Sequence, residues 1–121
     1  MQHTRDARRI LGEGPFLAPE HKVILDSDTA RARSLGRDTV KIYLPLTNFI
    51  SSFRRLGFTD EDFANEGSDR LIDAMVAWGG ASALAARLSE YLDAGADHVA
   101  VQALGDDPLP AYRAIAEILL P

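Results

Sequence analysis

The apolar run Val23-Ile24-Leu25, β-branched at its first two positions, passes straight into Asp26-Ser27-Asp28, whose side-chain oxygens suit the free N–H groups of a helix opening at Thr29. A related joint recurs late in the chain, where a helix closes on Gly95, a strand covers His98 to Leu104, and Gly105-Asp106-Asp107-Pro108 leads into a last helix. No short hairpin turn links one strand-like run to the next. Strands separated by long helical stretches pair in parallel, so the chain reads as α/β. The clear strands are Lys22 to Leu25, within a run centred on His21 to Leu25, and His98 to Leu104; Val76 to Gly79 could hold a third.

The helices follow from spacing. His3 to Leu11 is Arg-rich, with Ala7, Ile10 and Leu11 on one side. After Thr29, the residues Ala32, Leu35, Gly36, Thr39, Val40 and Tyr43 recur every three or four positions and form a stripe, which Pro45 ends. Leu46 to Leu56 aligns Phe49, Phe53 and Leu56 before Gly57, and Thr59-Asp60-Glu61-Asp62 has the form of a capping box. A helix from Gly67-Ser68-Asp69 carries Leu71, Ile72, Met75 and Val76, and Gly79-Gly80 stops it after Trp78. Between Ser82 and Ala94, Leu84, Leu88, Tyr91 and Leu92 mark one face, and the last helix bears Tyr112, Ile115, Ala116 and Leu119.

Composition narrows the function classes. The 121 residues hold 13 Lys+Arg against 18 Asp+Glu, a net charge of -5, and no cysteine. Without cysteine there is no disulfide framework, thiolate zinc site or cysteine nucleophile, and an acidic balance argues against a phosphate-tracking nucleic-acid surface. No apolar run approaches a bilayer span and the start Met1-Gln2-His3-Thr4-Arg5-Asp6 is polar, so a cytoplasmic protein with no membrane or nucleic-acid partner is expected. Nothing divides residues 1–121 into more than one unit. P-loop, G-x-S-x-G and complete dinucleotide motifs are missing.

Five ordered blocks carry a resemblance. They are Leu17-Ala18-Pro19-Glu20-His21-Lys22-Val23-Ile24-Leu25 leading to Asp28-Thr29-Ala30-Arg31-Ala32-Arg33; Leu56-Gly57-Phe58-Thr59-Asp60-Glu61-Asp62; Ser68-Asp69-Arg70-Leu71-Ile72-Asp73; Trp78-Gly79; and Leu92-Asp93-Ala94-Gly95-Ala96-Asp97-His98-Val99-Ala100-Val101-Gln102. Together they resemble the C-terminal part of luciferase-like monooxygenase family oxidoreductases, in particular the subgroup using the deazaflavin coenzyme F420. The resemblance implies a TIM-type β/α barrel with parallel strands and outer helices, whose enzyme moves a hydride between coenzyme F420, or alternatively the flavin FMN, and a small organic substrate. A full barrel takes roughly 250 residues, so this chain corresponds to about half of one. A half-barrel exposes sheet edges, from which a homo-oligomer or a complementing barrel half is expected.

Within that frame strand alternation selects candidates. Val99, Val101 and Ala103 face the helices, so His98, Ala100 and Gln102 point into the barrel, and Gln102 approaches the mouth where barrel active sites form. The same logic aims Glu20 and Lys22 inward as a coenzyme-facing or substrate-facing charge pair; the plain alternative is an ordinary ion pair. Gly79-Gly80 ahead of a helix could present N–H groups to a phosphate, or be a simple turn. Gln102, Glu20, Lys22, Gly79 and Gly80 are therefore the coenzyme-binding candidates. No catalytic residue or metal ligand is expected: His98 sits at the far end of its strand, and Asp26, Ser27 and Asp28 read as a cap. The Arg31, Arg33, Arg37, Lys41 series suits a solvated face or an acidic partner. A different class of function also fits the same features, a non-catalytic interaction or scaffold protein that keeps the packing half of a barrel.

Overall fold

A computed structural model describes residues 1–120. Ten elements follow in order: α1 (Gln2–Leu11), β1 (Glu20–Leu25), α2 (Thr29–Val40), α3 (Thr47–Arg55), α4 (Asp60–Phe63), α5 (Asp69–Met75), β2 (Val76–Gly79), α6 (Ala81–Asp93), β3 (Ala100–Ala103) and α7 (Leu109–Leu119). The α/β class and the parallel pairing hold, with β1 parallel to both neighbours. The strand hidden at Val76 to Gly79 is present. It takes the last turn of the expected helix, which stops at Met75, because Val76-Ala77-Trp78 is better satisfied beside Lys22-Val23-Ile24 than as an extra helical turn. The last strand is shorter than expected, Ala100 to Ala103.

The sheet order is β2-β1-β3, with the first strand in the centre. Consecutive strands of a barrel arc run in sequence order, so this arrangement differs from the simple arc that the sequence reading implies. The chain steps one way from β1 to β2, then crosses β1 to reach β3. Two right-handed crossovers in opposite directions place their helices on opposite faces. The core accordingly has two halves. On one face Ile24 and Val76 pack with Ala32 and Val40 of α2 and Ile72 of α5. On the other, Val23 and Ala77 pack with Leu84 and Leu88 of α6 and Ile115 of α7, with Val99, Val101 and Ala103 alongside.

Local chemistry fixes the joints. Asp28 caps α2, its carboxylate accepting from the Arg31 N–H at 2.8 Å, and Asp26 accepts from the Asp28 N–H and the Arg31 guanidinium. Ser68 caps α5 and Thr59 with Asp62 forms the capping box ahead of α4. At Gly36, α2 approaches α5 so closely that a Cβ would stand 2.8 Å from the Ile72 methyl. Gly95, at φ 104°, ends α6, and an added Cβ there would meet the Arg8 side chain at 2.9 Å. Arg8 in turn clasps α1 to the body through the Gly95 carbonyl at 2.8 Å and Asp97 at 2.5 Å.

The acidic partners of the α2 basic series lie inside the chain. Arg33 forks onto Asp73 at 2.6 and 3.0 Å and reaches Asp69, while Arg37 joins Asp69 and the Gly67 carbonyl. Arg31 pairs with Asp26 and Lys41 with Asp38. The outer edge of β3 is also engaged. Ala100 and Leu104 direct their N–H groups to β1, so Val101 and Ala103 turn theirs outward. The Tyr112 hydroxyl accepts from the Ala103 N–H at 3.2 Å and donates to the Val101 carbonyl at 3.4 Å. No helix among the described residues is long and apolar enough to cross a membrane.

Candidate functional site

A cleft of about 460 Å³ opens at the amino-terminal end of β1 and β2. One wall is apolar: Phe53 and Leu56 from α3 and its end, Phe58, and Met75 ahead of β2. The lining also includes His21 of β1 with Arg87 and Tyr91 of α6, and Gln2, His3 and Thr4 from the first turn of α1. Sequence dictates this meeting. His21 shares its strand face with Val23, and that face packs on α6, where Tyr91 ends the stripe begun by Leu84 and Leu88.

His21 is 4% exposed. Its Nδ1 lies 2.7 Å from the Tyr91 hydroxyl, and the two rings are 4.9 Å apart. Burial, reinforced by the positive charge of Arg87, lowers the imidazole pKa to about 4, so the ring is neutral near pH 7. Burial also raises the Tyr91 phenol, which stays protonated. A neutral imidazole carries one proton, and the network assigns it. If Tyr91 donates to Nδ1, the proton sits on Nε2 and one group lacks a partner; the opposite tautomer strands both the phenol proton and the Nε2 lone pair. The first arrangement is favoured. The Nε2–H is then a buried donor with no partner, and the buried Nε of Arg87 is a second. The rest of the guanidinium is loosely held, 3.4 Å from the Ala74 carbonyl and 3.6 Å from Glu90.

The five residues selected from sequence fall into two separate places. Glu20 and Lys22 form an ion pair at 2.7 Å, with Glu20 exposed, Lys22 partly buried, and the Lys22 ammonium 5.6 Å from the centre of the Tyr43 ring. Gln102 stands in register with Lys22 on the same face of the sheet and is exposed. Gly79 pairs with Leu25 at the far end of β1, and Gly80 is the N-cap residue of α6. Six strand residues span about 20 Å. Gly79-Gly80 thus lies at the opposite end of the sheet from Glu20, and the candidates do not converge. Gly79 has a structural reason of its own: φ is 133°, and a Cβ would meet Ala83 at 3.2 Å. His98 lies outside β3 and stacks on Phe16 at 6.5 Å. No cluster of three metal-binding side chains occurs among the described residues.

No protein-family model matches the chain, and neither a curated protein nor a solved structure matches it. The cleft therefore has to be read from its own chemistry. Its residues were visible in sequence only as packing: His21 as the partner of Val23 and Tyr91 as the end of a core stripe. The available signal was a titratable ring on an alternating strand's apolar face, opposite a helix stripe that ends in a phenol.

Proposed function

We propose that this chain is the C-terminal part of a cytoplasmic oxidoreductase of the luciferase-like class, dependent on coenzyme F420 or a flavin, that moves a hydride between the coenzyme ring and a small organic substrate. The observation that carries this reading is the parallel pairing of β1 and β3, adjacent strands joined by a long helical crossover, as consecutive barrel strands are. In that frame β2 occupies the edge of β1 that a preceding barrel strand would take, which accounts for the order β2-β1-β3. The face bearing Glu20, Lys22 and Gln102 is also the face on which α2 and α5 pack over Ile24 and Val76, so the reading requires those helices to move aside before that face can serve as barrel interior. The carboxyl ends of the strands, with Gly79-Gly80, become the mouth, where an incoming phosphate would meet the first N–H groups of α6.

The coenzyme would supply the hydride chemistry, and this chain supplies part of its seat. Because Gly79-Gly80 and the Glu20, Lys22, Gln102 group stand at opposite ends of the sheet, a complete cradle needs a complementing barrel half or a second copy. Titration of the purified chain with coenzyme F420 and with FMN, followed by cofactor fluorescence, tests the reading. Saturable binding of either supports it, and no binding of either rejects enzyme function for this chain. The separation of the candidate residues favours, as a second reading, a non-catalytic interaction or scaffold protein, which is the outcome such a null titration would leave.

A further inference from the structure

Two buried N–H donors without partners, Nε2 of His21 and Nε of Arg87, belong to side chains that line one cleft. Native structures rarely leave such groups unpaired, because each gives up its hydrogen bond to water and gains none in return. Both are donors under the tautomer assigned above, so the missing partner is an acceptor. Arg87 and the amino group of Met1 are the positive groups left over, offset in part by Glu90, since Lys22 is already neutralised by Glu20. That suits a single negative charge and works against a dianion, which would also face Glu20 and Glu90. Phe53, Phe58 and Met75 in the same lining suit an apolar, flat body. A volume of about 460 Å³ lies within the range of small-molecule sites.

We propose that this cleft is a binding site for a small aromatic carboxylate, its two oxygens meeting His21 Nε2–H and Arg87 Nε–H and its ring lying against Phe53 and Phe58. The site lies at the amino ends of the strands, away from the carboxyl-end loops of the hydride-transfer reading, and does not depend on that reading. Tyr91 acts as a positioning residue: its phenol holds the imidazole so that Nε2 is the donor. The first turn of α1, with Thr4 buried, packs beside the entrance. Arg8 anchors the other end of that helix through the Gly95 carbonyl and Asp97.

The test uses benzoate near pH 7, with benzamide and inorganic phosphate as comparison probes, read by the imidazole nitrogen resonances of His21 and by calorimetry. Saturable benzoate binding that moves the His21 Nε2 signal, at least tenfold tighter than benzamide or phosphate, is the expected result. Arg87→Gln should weaken benzoate at least tenfold, and Arg87→Lys should not restore it, because the lysine lacks a donor at the Nε position. Tyr91→Phe should weaken benzoate and shift the His21 tautomer toward a proton on Nδ1. No His21 response up to about 10 mM benzoate, where even a weak specific ligand would register, overturns the proposal. Equal binding of benzamide overturns the carboxylate assignment, and equal binding of phosphate overturns the aromatic one. These readings on the unmodified chain stand even if a variant fails to fold.

Discussion

Lowering the pH from 8 to 5 should destabilise the fold through His21 before any carboxylate contributes. The imidazole titrates at about 4 in the folded chain against 6.5 when unfolded, because burial and Arg87 disfavour its charged form. The unfolded state therefore binds more protons throughout the window between those values, and stability falls as pH falls through it. Linkage over this interval gives a loss of about 2 kcal/mol at pH 5, rising to about 3 kcal/mol at pH 4. The groups facing the ring are Arg87 and Tyr91 on α6, Lys22 and Glu20 on β1, and the amino terminus on α1. Asp26, Asp62, Asp73 and Asp97 are all held below their ordinary range by hydrogen bonds, so their contribution is lost only at lower pH. Urea unfolding at half-unit pH steps measures the slope, and nitrogen resonances of His21 give the folded-state titration directly. His21→Gln should flatten the curve between pH 6.5 and 5. A wild-type unfolding free energy that is level from pH 8 to 5, or a His21 titration midpoint near 6.5, would refute the argument.

Two further outcomes follow from packing. Gly36→Ala gains about 1 kcal/mol of helix propensity but sets a methyl 2.8 Å from the Ile72 side chain, where over-packing costs about 1–3 kcal/mol; thermal unfolding should show a net loss, and stabilisation would mean that α2 and α5 separate easily. Tyr112→Phe removes the hydroxyl that caps Ala103 and Val101; amide exchange at Ala103 should accelerate by about fivefold to tenfold, matching a hydrogen bond of roughly 1 kcal/mol, and unchanged exchange would show the edge to be protected by something else.

The elements that were legible in sequence are those governed by local chemistry. Asp28, Thr59 and Ser68 cap where their side chains can reach an N–H three residues on, and alternation put Val99, Val101 and Ala103 against the helices. Strand order was not legible, because Val76-Ala77-Trp78 can extend α5 or join a sheet, and only its pairing with Lys22-Val23-Ile24 decides. The cleft was hidden for a related reason. His21 and Arg87 are 66 positions apart, and what makes them matter is the absence of partners, which appears only once every neighbour is placed. Glu20, Lys22 and Gln102 were correctly grouped on one face, yet Gly79-Gly80 could be assigned an end of the sheet only after its register with Leu25 was known.

The same structure alters the case for assembly. An open parallel sheet invites another strand at each edge, and the edges here are the outer sides of β2 and β3. β2 holds one side of β1 along four register pairs, and on the other side Tyr112 occupies the N–H of Ala103 and the carbonyl of Val101. Four-residue β3 turns only Val101 and Ala103 outward, so one hydroxyl takes half of the hydrogen-bonding groups those two residues offer. A second copy, or a missing barrel half, therefore gains pairing on β3 only after displacing a phenol, and gains pairing on β1 only after displacing β2. The first exchange trades two long hydrogen bonds for strand pairing and costs little; the second breaks a paired strand and uncovers Val76 and Ala77. Tyr112→Phe should strengthen any association at β3: sedimentation showing the variant no more associated than the parent would place any contact between copies elsewhere, the outer side of β2 included.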